Sequence, residues 1–131
     1  MFCRPLKGFG AFEETLRSGR RVTAGPLSLT AVTMAGSDEE SASVMVGVTI
    51  AKRIAPRAVV RNRVKRLLRE GVRRQVAERG DQLQARRISR LILNWRQAPT
   101  SVMRLHLADV ETYIADAFDK LLRAPLHRGG A

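Results

Sequence analysis

Hydrophobic positions change period along this chain, and each change marks an element. In FGAFEETLRS at 9–18, Phe9, Phe12 and Leu16 recur at i, i+3 and i+7, one stripe of a short helix. Gly19 follows where a left-handed C-terminal cap would sit. LSLTAVTM at 27–34 alternates apolar residues with Ser or Thr before turning apolar on both parities, which predicts a partly buried strand. VMVGVTIA at 44–51 is the clearest strand, with Val44, Val46, Val48 and Ile50 on one face and Met45, Gly47, Thr49 and Ala51 on the other. Between these strands AGSDEESAS at 35–43 is small, polar and acidic, and reads as an exposed hairpin loop.

After Pro56 the period lengthens from two to 3.6. Val60, Val64, Leu67 and Leu68 fall at i, i+4, i+7 and i+8, predicting a helix over 57–76, about 30 Å long. Gly71 lies inside it and costs roughly 1 kcal/mol in helix propensity, so it signals either close packing or early fraying. A polar connection around 78–85 leads to ISRLILNW at 88–95, short and branched enough for a buried strand. Pro99 and Thr100 precede a last amphipathic helix in which Leu107, Val110, Ile114, Ala117, Phe118, Leu121 and Leu122 recur at three and four. The tail PLHRGGA is expected to be disordered. The element order is αββαβα, an α+β arrangement of one sheet and packed helices.

Composition fits one core: 131 residues, 44% hydrophobic, with no linker long enough to separate two domains. A single binding domain over 1–124 followed by the tail at 125–131 is the expectation. Charge changes the picture more. Lys and Arg number 24 against 12 Asp and Glu, a formal +12, and such a chain repels itself unless a polyanion offsets the field. Nucleic acid is the leading partner. A membrane is disfavoured, because the longest apolar runs fall far short of the roughly 20 residues of a span. The start MFCRPLKGFGAF lacks the apolar stretch of a secretory signal, and the lone Cys3 cannot make an internal disulfide. A cytoplasmic setting is expected.

Candidate chemistry is sparse. Cys3 stands alone and His106 and His127 are far apart, so neither zinc-ligand spacing nor a Cys/His nucleophile pair occurs. GFG at 8–10 lacks the strand and third glycine of a dinucleotide fingerprint, and Asp38, Glu39 and Glu40 form one solvated run. No catalytic residue, metal site or bound cofactor is therefore expected. What stands out is the polar arc of the central helix. Between Arg57 and Arg74 eight basic side chains face one acid, Glu70, which is placed to pair with Arg66 or Arg74. Lys52 and Arg53 extend the patch from the end of the preceding strand. Arginine forks grip phosphate oxygens, while few aromatics are left for base stacking, so backbone and shape recognition is expected.

VGVTIAKR followed by AVVRNRVKRLLRE resembles the signature of the bacterial ribonuclease P protein component, a strand ending in two basic residues and then a helix carrying Arg-Asn-Arg-x-Lys-Arg. The likeness extends more weakly to RPLKGFGAFEETLRSGRRV at 4–22 and LILNWR at 91–96. It implies a single-domain αββαβα sandwich with a small sheet and a left-handed βαβ crossover, of the ribosomal protein S5 domain 2-like kind. It implies a subunit without catalytic groups, assisting an RNA that cleaves the 5′ leader from precursor tRNA with magnesium ions required by the RNA. Lys52, Arg53, Arg57, Arg61, Asn62, Arg63, Lys65, Arg66, Arg69 and Arg73 would face RNA. A cleft between the first helix and the sheet, with Phe12, Leu16, Leu27, Leu29 and Val48, would take the leader.

The chain departs from the family pattern in that cleft. Leu16, Leu27 and Thr30 stand where members often carry aromatics, and Met45 where a basic residue is frequent, so leader stacking is expected to be weaker or to be made by different groups. Ala55-Pro56 replaces the more frequent single Gly after the basic pair. The implied partners are the catalytic RNA and the leader, with no membrane and no obligate protein partner. A general basic RNA-binding module of the ribosome-associated type is the alternative. A peripheral membrane protein is the third reading, and it lacks the bulky interfacial residues such a helix needs.

Overall fold

The computed structural model describes residues 1–33, 43–98 and 105–123. The expected acidic loop, Pro99, Thr100 and the C-terminal tail lie essentially outside the described residues. Elements run β1 (Phe2–Pro5), α1 (Phe9–Ser18), β2 (Arg20–Ala24), β3 (Leu27–Thr33), β4 (Ser43–Ile50), α2 (Ala58–Glu78), α3 (Gly80–Ala85), β5 (Ile88–Trp95) and α4 (Leu107–Arg123). Among the described residues the strands form one five-stranded sheet in the order β1-β4-β5-β3-β2. β4 and β5 run parallel through the α2 crossover, β1 pairs parallel with β4, and β3 is antiparallel to both β5 and β2. The mixed α+β domain is as expected, with β1, β2 and α3 added to it, but β5 lies between β3 and β4, so these two do not form the expected hairpin.

Period two sorts the sheet into two faces. Registers Leu27↔Trp95, Leu29↔Leu93 and Val48↔Leu93 bring Leu27, Leu29, Val48, Leu93 and Trp95 to one face. That face meets α2 and α4, whose Val64, Leu68, Val72, Val110, Ile114 and Phe118 are buried with it in one core. The opposite face carries Thr30, Gly47, Thr49, Arg90, Ile92 and Asn94, and α1 crosses it. A Cβ on Gly47 would stand 2.8 Å from Phe12 Cε2, so the bare glycine seats that ring on the sheet.

One glycine departs from its expected role, and for another two expected roles reduce to one. Gly19 has φ −84° and ψ 163°, an extended conformation open to any residue, so it is no left-handed cap. A Cβ there would lie 2.5 Å from Thr30 Cγ2 and 2.6 Å from the Thr15 carbonyl oxygen, so contact rather than φ requires glycine. At Gly71 the choice between packing and fraying resolves to packing. α2 continues to Glu78, and a Cβ at Gly71 would approach Ile114 Cδ1 of α4 to 2.7 Å.

Candidate nucleic-acid interface

α2 is amphipathic because Val64, Leu68, Val72 and Val76 take its buried side, joined by Gly71 and Gln75. At 100° per residue the basic positions divide into three groups. Asn62, Arg66, Arg69 and Arg73, at i, i+4, i+7 and i+11, form one solvent-facing row and are all exposed. The row is about 17 Å long at 1.5 Å per residue. Arg63, Glu70 and Arg74 lie on the flank beside α4, and Arg61 and Lys65 on the other flank.

Hydrogen bonding separates cations held by the protein from those left outward. Arg61 Nη1 donates to the carbonyl oxygens of Ala55 (3.0 Å) and Pro56 (2.8 Å), tying the first turns of α2 to the loop before it. Arg63 Nη2 donates to the Leu105 carbonyl at 3.0 Å, across to the segment that opens α4. Both were expected to face RNA, and both spend donors on the fold. Glu70 pairs with Arg73 and Arg74 and not with Arg66. The hydrogen bond from Arg73 holds the Glu70 carboxyl below its ordinary range, and the same bond raises the Arg73 guanidinium. Lys65, Arg66 and Arg69 make no side-chain hydrogen bond or ion pair with the described residues. Lys52, Arg53 and Arg57 sit exposed at the turn between β4 and α2, equally without partners among the described residues.

α2 is braced along much of its length. Besides the Arg63 bond, Arg74 approaches Glu111 at 3.7 Å, Gln75 Nε2 donates to Glu111 Oε2 at 3.0 Å, and Arg79 Nη1 to Asp119 Oδ1 at 2.6 Å. These run from Arg63 in the second turn of α2 to Arg79 at its C-cap, all to α4 or to Leu105, two residues before it.

The leader cleft needs correction in three of its five residues. Leu27 and Leu29 are 0% exposed, and with the half-buried Val48 they point into the core under α2 and α4, away from α1. The choice of parity caused the error, because strand neighbours point to opposite faces. Phe12 packs over Gly47 on the α1 face of the sheet, and Leu16 is exposed one turn further along α1. The sheet offers Thr49 and Asn94, half-buried and in register with each other, beside them. Thr30, at a position where family members often carry an aromatic, is buried. On this face a cavity of about 300 Å³ opens beside α1, bounded by Arg4, Glu14, Ser18, Met45 and Arg90. Arg90 reaches Glu14 at 3.5 Å and Thr15 Oγ1 at 3.4 Å. Neither Arg4 nor Arg90 stands out in the sequence, because a single charge within a strand carries no period.

Among the described residues no helix is long and apolar enough to cross a membrane, and no group of three or more His, Cys, Asp or Glu is arranged to hold a metal ion. A mixed sheet backed by a braced helix with an outward cationic row defines an RNA-binding α+β domain. The ribonuclease P family model matches residues 3–109, and the chain belongs to that family, the bacterial ribonuclease P protein component, an RNA-binding component of tRNA processing. In fold it is similar to the RNase P protein of Staphylococcus aureus, with TM-score 0.64 at 15% identity over 92% of this chain and 95% of that one. A mutant of that S. aureus protein with defective mRNA degradation activity gives TM-score 0.62 at 16% identity, over 89% and 86%. No curated protein matches the chain.

Proposed function

We propose that the chain is the non-catalytic subunit of an RNA-catalysed endoribonuclease, holding the ribonuclease P RNA on α2 and the precursor tRNA 5′ leader on the opposite face of the sheet. The row Asn62, Arg66 and Arg69, with Lys65 on its flank, grips phosphates, and Lys52, Arg53 and Arg57 continue the track at the β4–α2 turn. Arg61 and Arg63 place the helix, and Arg73 joins the row while paired with Glu70. The leader runs along Phe12 and Leu16 beside Thr49 and Asn94, where one aromatic ring and small polar groups give weak, sequence-tolerant contact. Magnesium belongs to the RNA, which carries the chemistry. The chain works in the cytoplasm and needs no second protein.

One observation carries this reading: in a chain of formal charge +12, Lys65, Arg66 and Arg69 project from a braced helix without an acceptor among the described residues. Reconstitution tests it. Added to a bacterial ribonuclease P RNA at low magnesium, the protein restores cleavage of precursor tRNA at the leader junction. RNA binding without restored cleavage would instead make it a general basic RNA-binding module.

A further inference from the structure

A groove on the α2 side of the sheet has no part in the reading above. It lies where β1 meets α2, has a volume of about 270 Å³, and is lined by Cys3, Arg4, Pro5, Val46, Arg69, Val72 and Arg73. Cys3, Pro5, Val46 and Val72 make a largely apolar floor, and the three arginines supply its charge. Burial pushes the Cys3 thiol up, while the nearby Arg73 charge opposes that shift. Two of the arginines, Arg69 and Arg73, belong to the outward row, so the groove continues the charged face of α2. β1 is an edge strand, and edge strands leave backbone N–H and C=O groups unpaired. Apolar floor, cationic rim and polar edge match the three parts of an unpaired nucleotide: base face, phosphate and base edge.

We propose that this groove seats one unpaired nucleotide of the bound RNA, its base on Cys3, Pro5, Val46 and Val72 and its phosphate between Arg4 and Arg69. The inference rests on the RNA-binding role of α2 and adds to it a preference for single-stranded over duplex RNA at the α2 end of the interface. A duplex keeps its bases stacked and paired and can offer the groove only phosphate. Arg4 is the pivotal side chain, because at the sheet's edge it borders both this groove and the cavity beside α1 on the opposite face. Arg73 contributes through the donors its bond to Glu70 leaves over.

The test compares oligouridylate with an RNA duplex of equal phosphate number, both read by fluorescence anisotropy on the full chain. Cys3→Phe fills the groove with a ring and should weaken oligouridylate binding about tenfold, within the range of a lost base stack, while leaving duplex binding unchanged. Arg4→Ala, a change at an exposed side chain that keeps the fold, should weaken oligouridylate about fivefold and duplex less than twofold. Thermal denaturation shows whether Cys3→Phe is folded, and if it is not, Arg4→Ala decides. Equal losses on both RNAs in Arg4→Ala would make the groove a plain phosphate contact and overturn the proposal, with the α2 reading intact. Unchanged oligouridylate binding in folded Cys3→Phe would overturn it too. If wild-type protein binds neither RNA, the α2 reading fails and the groove falls with it.

Discussion

Replacing Arg66 and Arg69 together by alanine separates what α2 does for RNA from what it does for the fold. Both side chains are exposed and neither bonds to a described residue, so their removal leaves no orphaned acceptor. Thermal stability should stay within about 0.5 kcal/mol of wild type, as for surface changes away from any network. Binding should not. Each phosphate contact releases about 0.7–0.9 of a counterion, so the slope of log K against log salt should flatten by about 1.4–1.8 in the double variant. At about 0.15 M salt each contact is worth roughly 0.6–0.7 of a decade, and the pair should cost about 15–30-fold in affinity for the ribonuclease P RNA. That is about 1.6–2.0 kcal/mol. The assay is anisotropy or filter binding across a potassium chloride series, with a melting curve for each protein. Arg63→Ala is the internal control: it frees the Leu105 carbonyl and should cost about 1 kcal/mol of stability, a loss that Arg66 and Arg69 do not share. An unchanged salt slope in the double variant, or a melting loss equal to that of Arg63→Ala, would refute the division of α2 into outward and structural arginines.

Glu70→Gln should raise RNA affinity and steepen the salt slope by about 0.7–0.9, since Arg73 and Arg74 lose their shared counter-charge while an amide acceptor stays, and the same salt series reads it. The pH dependence has a defined sign: because its pKa is lowered in the fold, Glu70 adds stability above the ordinary carboxylate range, and that part is lost as pH falls through the lowered pKa. Acid melts of wild type should show a loss that Glu70→Gln lacks. Gly71→Ala gains about 1 kcal/mol in helix propensity but crowds Ile114 by the 1–3 kcal/mol of an overpacked core, so a net loss of up to about 2 kcal/mol is expected in denaturant melts. Gly19→Ala should be worse than Gly71→Ala, because two of its three contacts are backbone carbonyl oxygens that cannot swing aside.

Much of this architecture is legible in the sequence where burial and period coincide. α1 and β5 have the bounds their patterns predict, 9–18 and 88–95, and α2 runs two residues beyond its predicted end. β1 and β2 escaped because FCRP and RRVTA are edge strands that bury little, so selection for apolar alternation hardly acts on them. α3 escaped because its six residues contain one buried large side chain, Leu83. The cationic face was legible as composition and helical spacing. The inward turn of Arg61 and Arg63 was not, since it depends on where the carbonyls of Ala55, Pro56 and Leu105 come to rest, and Leu105 is 42 residues from Arg63. The leader cleft failed on parity: alternation shows that Leu27 and Leu29 share a face, but which helix covers it is settled by tertiary packing.

The bonds that brace α2 against α4, from Arg63 through Arg79, also decide which molecule must yield when the two meet. A helix held at several points along its length cannot unwind, slide or roll to suit a polynucleotide, so the spacing of its charges acts as a ruler. Adjustment then falls on the RNA, whose strands must bring phosphates to that ruler's marks. On the role proposed for α2, RNA conformers that already do so are held more tightly than the rest, and the protein thereby favours one fold of its partner.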